Sequence, residues 1–128
     1  MNFLLDTHTF LWFVWDDPLL SATARDLIVE PSHRKLVSIA SCWEIAIKAG
    51  LGKLELGEPS WSFLSRELAN NNFELLAIGL EHATAVEVLP AHHRDPFDRL
   101  LVVQAQSLHC PIVSSDVALD TYGIGRLW

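Results

Sequence analysis

The sequence predicts a single α/β domain of three layers, in which a central, mainly parallel sheet is flanked by helices. Three observations favour this fold. The chain has 128 residues, which is the usual size of one domain, so we expect residues 1–128 to fold as a unit. Half of the residues are hydrophobic and 20% are charged, which is enough apolar surface for a core and argues against disorder. Short apolar runs alternate with helical segments, as in parallel α/β domains.

The first part of the chain is predicted to form one strand and two helices. A short apolar run at 2–5, closed by Asp6, is typical of a buried strand. The nearly continuous apolar residues at 9–15 predict a buried helix, which the two acids and the proline after them would stop. A second helix is expected to begin at Ser21 and to end at Pro31.

The middle of the chain repeats this alternation of strand and helix. A second strand is predicted at 35–39 and a third at 73–77. Between them, one helix is expected to begin at Ser41 and to end at a glycine at position 50 or 52. Another helix is expected over 59–70.

The last third of the chain contains the helix that we expect at the centre of the domain. A short helix is predicted at 81–89, and a polar loop follows it. Residues 97–109 are apolar on nearly every side of a helix, so this helix should be buried. Strands predicted at 112–113 and 124–127 complete the sheet.

Charge and cysteine content narrow the classes of function. Sixteen Asp and Glu against nine Lys and Arg give a net charge of −7, which argues against passive binding of nucleic acid to a basic surface. This charge does not argue against an enzyme whose acidic residues bind metal ions. Cys42 and Cys110 lack a metal-site spacing and are interpreted as reduced core thiols of a cytoplasmic protein. Asp6 and His8 interrupt the apolar start, which predicts neither a signal peptide nor a membrane span.

Four carboxylates follow predicted strands or lie in the first turn of predicted helices. They are Asp6, Glu44, Asp98 and Asp116. Each has a structural explanation as a helix cap. Ser41 and Glu44 fit a capping box, and Asp95 and Asp98 fit the same pattern around Pro96. Asp6 or Thr7 could cap the first helix, and Asp116 could cap the turn after the fourth strand.

As a set, the four acids are harder to explain as caps. The segments that follow parallel strands gather at one edge of the sheet, so the topology brings these acids together. Two carboxylates ~5 Å apart repel by roughly 3 kcal/mol at an effective dielectric constant of about 20. A hard divalent cation would relieve this repulsion, and Mg²⁺ or Mn²⁺ suits oxygen ligands better than Zn²⁺ does. Such a site suggests hydrolysis of a phosphodiester.

Four stretches of the chain resemble, in order and spacing, the PIN-domain ribonucleases found as VapC-type toxins of type II toxin–antitoxin pairs. They are LLDTHTFLW (4–12), SIASCWEIAIKAGLGKLEL (38–56), LPAHHRDPFDRLLVVQA (89–105) and IVSSD (112–116). The likeness extends over nearly the whole chain, down to the closing YGIGRLW. It implies a three-layer PIN-like fold.

The resemblance also implies a Mg²⁺ or Mn²⁺ site that cleaves single-stranded RNA. The residues that it makes both catalytic acids and metal ligands are Asp6, Glu44, Asp98 and Asp116. Asp95 is expected to support this site, and Thr7 and Ser115 are expected to orient the carboxylates. Proteins of this kind usually form homodimers and are held by a cognate antitoxin, so we expect both partners beside the RNA substrate.

Three cations near the acids are candidates for contact with an RNA phosphate. Lys48 lies one helical turn after Glu44, so it either pairs with that acid or binds a phosphate. Arg94 and Lys53 are comparable candidates. Arg99 is instead expected to steady a neighbouring acid.

The histidines and tryptophans favour structural explanations. His8, His92 and His93 are interpreted as exposed or hydrogen-bonded side chains rather than as ligands. Trp12 and Trp15 share a helix face and are interpreted mainly as packing, although aromatic side chains can also stack on bases.

Other functions stay open at this point. Phosphoaspartyl chemistry at Asp6 would call for a second Asp two residues on, where this chain has His8. A non-catalytic acidic interaction module would need the acids only as caps. A PIN nuclease of RNA maturation would carry the same four acids. The favoured function is a metal-dependent endoribonuclease, which the resemblance makes the toxin of a toxin–antitoxin pair.

Overall fold

The computed structural model describes residues 1–128 and contains five strands and six α-helices. The strands are β1 (Asn2–Leu5), β2 (Arg34–Ser38), β3 (Glu74–Leu76), β4 (Ile112–Val113) and β5 (Arg126–Leu127). The helices are α1 (Thr7–Val14), α2 (Ala22–Val29), α3 (Ile39–Gly50), α4 (Ser60–Asn70), α5 (Leu80–Ala85) and α6 (Pro96–Leu108). Two 3₁₀ helices span Val86–Val88 and Val117–Tyr122. None of the helices has the length and apolar character that a membrane span requires.

The five strands form one sheet in the order β3-β2-β1-β4-β5, and every neighbouring pair is parallel. The predicted parallel α/β fold is therefore confirmed. The chain builds outward from β1 to β2 and β3, then crosses to the other side of β1 to add β4 and β5. The strand order thus reverses between β1 and β4, and the carboxyl ends of strands at such a reversal flank a crevice that commonly binds ligands.

Apolar side chains of the central strands alternate between two cores, one on each face of the sheet. Phe3 and Leu5 lie in a core with residues of α1 to α4. Leu4, between them, lies in a second core with Leu101 and Val102 of α6. Because successive side chains of a strand point to opposite faces, β1 is buried on both sides. It holds the two helical layers at fixed positions relative to its carboxyl end.

The predicted start of α3 is wrong, and so is its predicted capping box. The helix begins at Ile39, because the Ser38 hydroxyl accepts a hydrogen bond from the backbone N–H of Ala40. Ser41 and Glu44 therefore lie inside the helix, where both are buried. Because the helix begins earlier than predicted, Glu44 lies in its second turn and not at its first turn.

Two other boundaries differ from the prediction for local reasons. Helix α1 begins at Thr7 instead of residue 9, because the Asp6 carboxylate caps it by accepting from the N–H of Thr9. The helix predicted at 81–89 divides into α5 and the 3₁₀ helix Val86–Val88. The Asp95 cap of α6, with Pro96 in its first turn, is confirmed.

Candidate active site

The four acids predicted as ligands line one polar cleft at the carboxyl ends of β1, β2 and β4. The cleft has a volume of about 240 Å³ and no hydrophobic residue in its lining. The lining residues are Asp6, Thr7, His8, Glu44, Lys48, Asp95, Asp98, Ser115 and Asp116. Three larger cavities, of about 530, 510 and 300 Å³, contain no more than two carboxylates each. Among these cavities, the smaller cleft therefore contains the largest group of carboxylates.

Asp6 ties the end of β1 to the end of β4. One of its carboxylate oxygens accepts from the N–H of Thr9, 2.8 Å away, as the cap of α1. The other accepts from the hydroxyl of Ser114, which directly follows β4. These two donors fix the orientation of the carboxylate at the point where the strand order reverses.

Glu44 enters the cleft from the second turn of α3 and is only 5% exposed. Its Oε1 lies 2.7 Å from the Thr7 hydroxyl, and its Oε2 accepts from the Lys48 ammonium at 2.6 Å. The Thr7 hydroxyl is also 2.9 Å from that of Ser41. Since one hydroxyl donates one proton, Thr7 can donate to Glu44 while it accepts from Ser41. The hydrogen bond to Glu44 raises the pKa of Lys48, so this cation stays charged inside the acidic cleft.

Asp116 is held by a histidine that lies far from it in the sequence. Nε2 of His93 lies 2.7 Å from Asp116 Oδ2, and Nδ1 of the same ring lies 2.8 Å from the Tyr122 hydroxyl. A neutral ring with its proton on Nε2 satisfies both contacts, donating to the carboxylate and accepting from the tyrosine. Burial acts to raise the pKa of Asp116, but the hydrogen bonds from His93 and from the N–H of Ala118 outweigh it and lower the pKa. Asp116 is therefore held as an anion.

Asp98 differs from the other three acids because no protein donor bonds to its carboxyl group. It lies in the first turn of α6, and the neighbouring Asp95 caps that helix by accepting a hydrogen bond with one of its oxygens from the N–H of Phe97. Burial, followed by the negative charge of Asp95, raises the pKa of Asp98 to about 6. The charges of Glu44 and Asp6 act in the same direction. Asp98 is thus the carboxylate whose negative charge the protein itself stabilises least.

The donor set of the cleft fits a hard divalent cation, although its side chains do not stand as a finished coordination shell. No group of three or more His, Cys, Asp or Glu side chains converges closely enough to enclose a metal ion. Asp6, Glu44 and Asp116 instead direct both carboxylate oxygens at protein donors. Each carboxylate has about four acceptor positions, so these three acids keep positions free for a ligand. Asp98 keeps all of its positions.

Three side chains around the cleft have contacts that the sequence did not indicate. Ser114, rather than Ser115, bonds to an acid, and Ser115 only lines the cleft. His93 was expected to be exposed or hydrogen-bonded, but no local pattern indicated that its partner, reached from a loop, is Asp116. Arg99 was expected to steady an acid, and this is wrong. Its guanidinium donates to four backbone carbonyls, those of Val86, Leu89, Pro90 and His93.

Most cations of the chain already have partners. Seven of the nine Lys and Arg side chains bond to a carboxylate or to a backbone carbonyl. Lys53 and Arg94 have no such partner, and both are exposed. Arg94 lies between His93 and Asp95, and Lys53 lies beside the cleft in the turn after α3. The two unpaired cations therefore flank the acids.

Comparison with known proteins agrees with the fold. The sequence model of the family described as PIN domain matches residues 3–124. The structure is similar to VapBC2 from Rickettsia felis bound to a promoter DNA fragment, with a TM-score of 0.73, 13% identity and 100% of both chains covered. It is also similar to VapBC-1 from nontypeable Haemophilus influenzae, with a TM-score of 0.65, 17% identity, and 98% of this chain and 96% of that one covered. None of the curated proteins matches the chain in sequence.

Proposed function

The chain belongs to the PIN domain family, and from this premise we propose that it is a metal-dependent endoribonuclease that serves as the toxin of a toxin–antitoxin pair. PIN domains are, as a family, nucleases that use divalent metal ions. The observation that carries the proposal is the gathering of four carboxylates in one polar cleft where the strand order reverses. An acidic interaction surface alone would not call for a partly buried acid without a donor, which is what Asp98 is.

We assign the metal to the four acids of the cleft, with Mg²⁺ or Mn²⁺ favoured by a set of oxygen donors. The ligands would be Asp6, Glu44, Asp98 and Asp116. Asp95 would add negative charge beside them while it caps α6. A divalent ion held by these acids would supply the activation of water and the stabilisation of negative charge that hydrolysis of a phosphodiester requires. Thr7 and Ser114 orient Glu44 and Asp6, the role that the sequence suggested for Thr7 and Ser115.

Substrate binding requires cations on a chain whose net charge is −7. Arg94 has no protein partner, and it is proposed to contact an RNA phosphate. Lys48 is held by Glu44 at 2.6 Å and would also reach a phosphate at the edge of the cleft. Both contacts position the RNA backbone over the acids, which is the part of binding that does not depend on base sequence.

The proposed partners are an antitoxin protein and a second copy of this chain. The support for an antitoxin is that both similar structures are VapBC complexes. A homodimer follows from the resemblance to VapC-type toxins. We propose a cytoplasmic location, because an RNA target and reduced Cys42 and Cys110 both suit that compartment. A PIN nuclease of RNA maturation would use the same cleft without an antitoxin.

The test of this function is cleavage of mixed cellular RNA by the purified chain, in Mn²⁺ and in EDTA. We expect discrete fragments with Mn²⁺ and none with EDTA. Asp6→Asn should lose cleavage by at least about 100-fold, because it removes an anionic oxygen from the ligand set. Asp26→Asn is the matched control, since Asp26 is exposed on α2 and has no hydrogen-bond partner. Equal cleavage by the parent and Asp6→Asn, or cleavage in EDTA, would contradict the proposal.

The toxin role has a separate test in cells. Expression of the parent chain should arrest growth, and Asp6→Asn should not. A chain that cleaves RNA in the tube but leaves growth unaffected would favour a nuclease of RNA maturation over a toxin.

A further inference from the structure

A second cavity adjoins the acid cleft and shares part of its wall. It has a volume of about 180 Å³ and is lined, like the cleft, by Thr7, His8 and Lys48. Its floor is apolar, because the buried side chains of Leu11 and Ile45 form it. A group bound in this cavity would therefore lie directly beside anything held by the four acids.

Two tryptophans lie at one side of this cavity, Trp12 in α1 and Trp15 at the C-terminal end of that helix. Trp12 is partly buried and packs edge-on against Trp128, with the ring centroids 5.9 Å apart. Trp15 is 42% exposed and has Phe63 as its ring neighbour. An indole that borders an apolar cavity and remains this exposed has a surface free for a planar, apolar ligand.

The cations of this cavity complement an anionic ligand. Lys48 lies on the wall that the cavity shares with the cleft, and Lys53 lies beside it. Lys53 is the one lysine of the chain without a polar partner, since Lys35 donates to the carbonyl of Asn71 and Lys48 donates to Glu44. On a chain of net charge −7, an unpaired lysine next to an exposed indole marks a place where an anion with an aromatic part would bind.

We propose that this cavity is a nucleotide subsite, which holds the base adjacent to the phosphodiester that is cut in the acid cleft. The base stacks on Trp15, and Lys53 contacts the phosphate of the same nucleotide. The inference rests on the function proposed above and adds to it the place where the RNA strand enters the acid cleft. Stacking on an aromatic side chain combined with a lysine at the backbone is how proteins hold single strands without reading sequence. A base in a closed duplex could not enter this cavity, which agrees with the single-stranded substrate that the family resemblance implies.

A peptide is the other ligand that an apolar cavity of this size could take. The observations favour the nucleotide, because the cavity combines an exposed indole and two lysines with a wall in common with the acids. A peptide segment would need apolar side chains for the floor and would gain nothing specific from Lys53. The experiment below separates the two.

The subsite is tested by binding and cleavage of one short, fluorescein-labelled single-stranded RNA. Anisotropy in EDTA gives the Kd without cleavage, and initial rates in Mn²⁺ give KM and kcat. We expect Trp15→Ala to raise Kd and KM together by about 5- to 150-fold, which corresponds to the loss of one stacked base, and to leave kcat unchanged. Trp15→Phe should keep most of the affinity, because it keeps an aromatic face, and thermal unfolding checks that both variants fold.

Lys53→Gln provides an independent test that does not depend on packing, since this side chain is exposed. Loss of one phosphate contact should reduce the slope of log K against log salt concentration by about 0.7 for a single strand. The matched controls are Trp61→Ala, an 82% exposed tryptophan that borders another cavity, and Arg34→Gln, which removes a positive charge at the start of β2, the end of the strand opposite the acids. Neither control should change Kd or the salt slope.

Three outcomes would overturn the subsite. If the parent cleaves RNA but Trp15→Ala and Lys53→Gln behave like their controls, the subsite is wrong and the proposed function stands. If the parent neither binds nor cleaves RNA, the proposed function fails and the subsite fails with it. Weakened binding of an antitoxin peptide by Trp15→Ala, with RNA binding unchanged, would assign the cavity to a protein partner instead.

Discussion

Among single residues, Asp98 is the acid whose environment most opposes its charge. Burial and the neighbouring Asp95 raise its pKa to about 6, well above the ordinary value of an aspartate. When the pH lies between the ordinary pKa of an aspartate and about 6, the folded chain binds more protons than the unfolded chain does. The free energy of unfolding must therefore fall as the pH rises through this window, which is the opposite of the behaviour of an ion-paired acid.

The first prediction concerns this pH dependence. Without metal, the stability of the parent should decrease by on the order of 1 kcal/mol from pH 4 to pH 7 because of Asp98, after allowance for solvent screening. Asp98→Asn should remove that part of the pH dependence and be more stable than the parent at pH 7. Urea unfolding in EDTA at a series of pH values measures it, with Asp26→Asn as the control. A variant whose pH profile matches the parent's would contradict the account of Asp98.

The second prediction concerns His93, which positions Asp116 without being a ligand in this account. His93→Ala removes the donor to Asp116 Oδ2 and should weaken Mn²⁺ binding by about 10- to 100-fold, as loss of a group that orients a metal ligand typically does. Tyr122→Phe removes only the outer hydroxyl of the same chain of hydrogen bonds and should have a smaller effect. Calorimetric titration with Mn²⁺ measures both. An unchanged Mn²⁺ affinity in His93→Ala would contradict the positioning role given to His93.

The acids could be predicted from the sequence, but several of their partners could not. Asp6 directly follows an apolar run and Asp116 follows one after two serines, which is a local signal. The contact between His93 and Asp116 joins two loops, and neither loop has a periodic pattern. Ser114 and Ser115 could not be told apart either, because β4 has only two residues and offers too little alternation to assign a face.

At the scale of elements, the junction of β2 and α3 decides where Glu44 lies. The Ser38 hydroxyl caps α3 and also lies 2.5 Å from Oε1 of the buried Gln104 on α6. The amide of Gln104 donates in turn to the carbonyl of Ala77 beyond β3. This hydrogen-bonded chain connects the helix that bears Glu44 to the helix that bears Asp98. The sequence showed Gln104 only as one member of an otherwise apolar helix.

The third prediction tests this connection. Gln104→Leu has nearly the same volume but leaves the Ser38 hydroxyl and the Ala77 carbonyl without their partner. We expect a loss of about 1–3 kcal/mol in the free energy of unfolding, which is the cost of a buried polar group left unsatisfied. Gln106→Leu, at an exposed position of the same helix, is the matched control. Equal stability of the two variants in urea would contradict the role given to Gln104.

Predicted element boundaries were wrong where a side chain that the prediction did not consider caps the helix. The sequence indicated that α3 begins at Ser41, but the structure caps this helix with Ser38, where β2 ends. Arg99 was placed with the acids on sequence proximity. Its guanidinium instead donates hydrogen bonds to backbone carbonyls of the 3₁₀ helix Val86–Val88 and of the loop that follows it. These contacts depend on the path that this loop takes to α6, which no local sequence pattern indicates.

For the whole molecule, the parallel sheet is what assembles the site. Asp6 and Asp116 are 110 positions apart in the sequence, and adjacent parallel strands bring both to one edge. The alternation of strands and helices is a pattern over the whole chain, so this part of the fold could be predicted. The overall charge of −7 and the acidic cleft make the metal-free chain self-repelling, and a bound cation would relieve that repulsion.

The most direct test is a Mn²⁺ titration of the parent chain in which thermal unfolding and RNA cleavage are followed under the same conditions. If one site serves both, stability should rise with RT ln(1 + [Mn²⁺]/Kd), by about 2.7 kcal/mol at 100 times Kd, and cleavage should appear at the same Mn²⁺ concentration. Asp98→Asn should shift or abolish both curves together, and Asp26→Asn should shift neither. Cleavage that saturates without any change in stability, or that survives in EDTA, would contradict a nuclease built on these four acids.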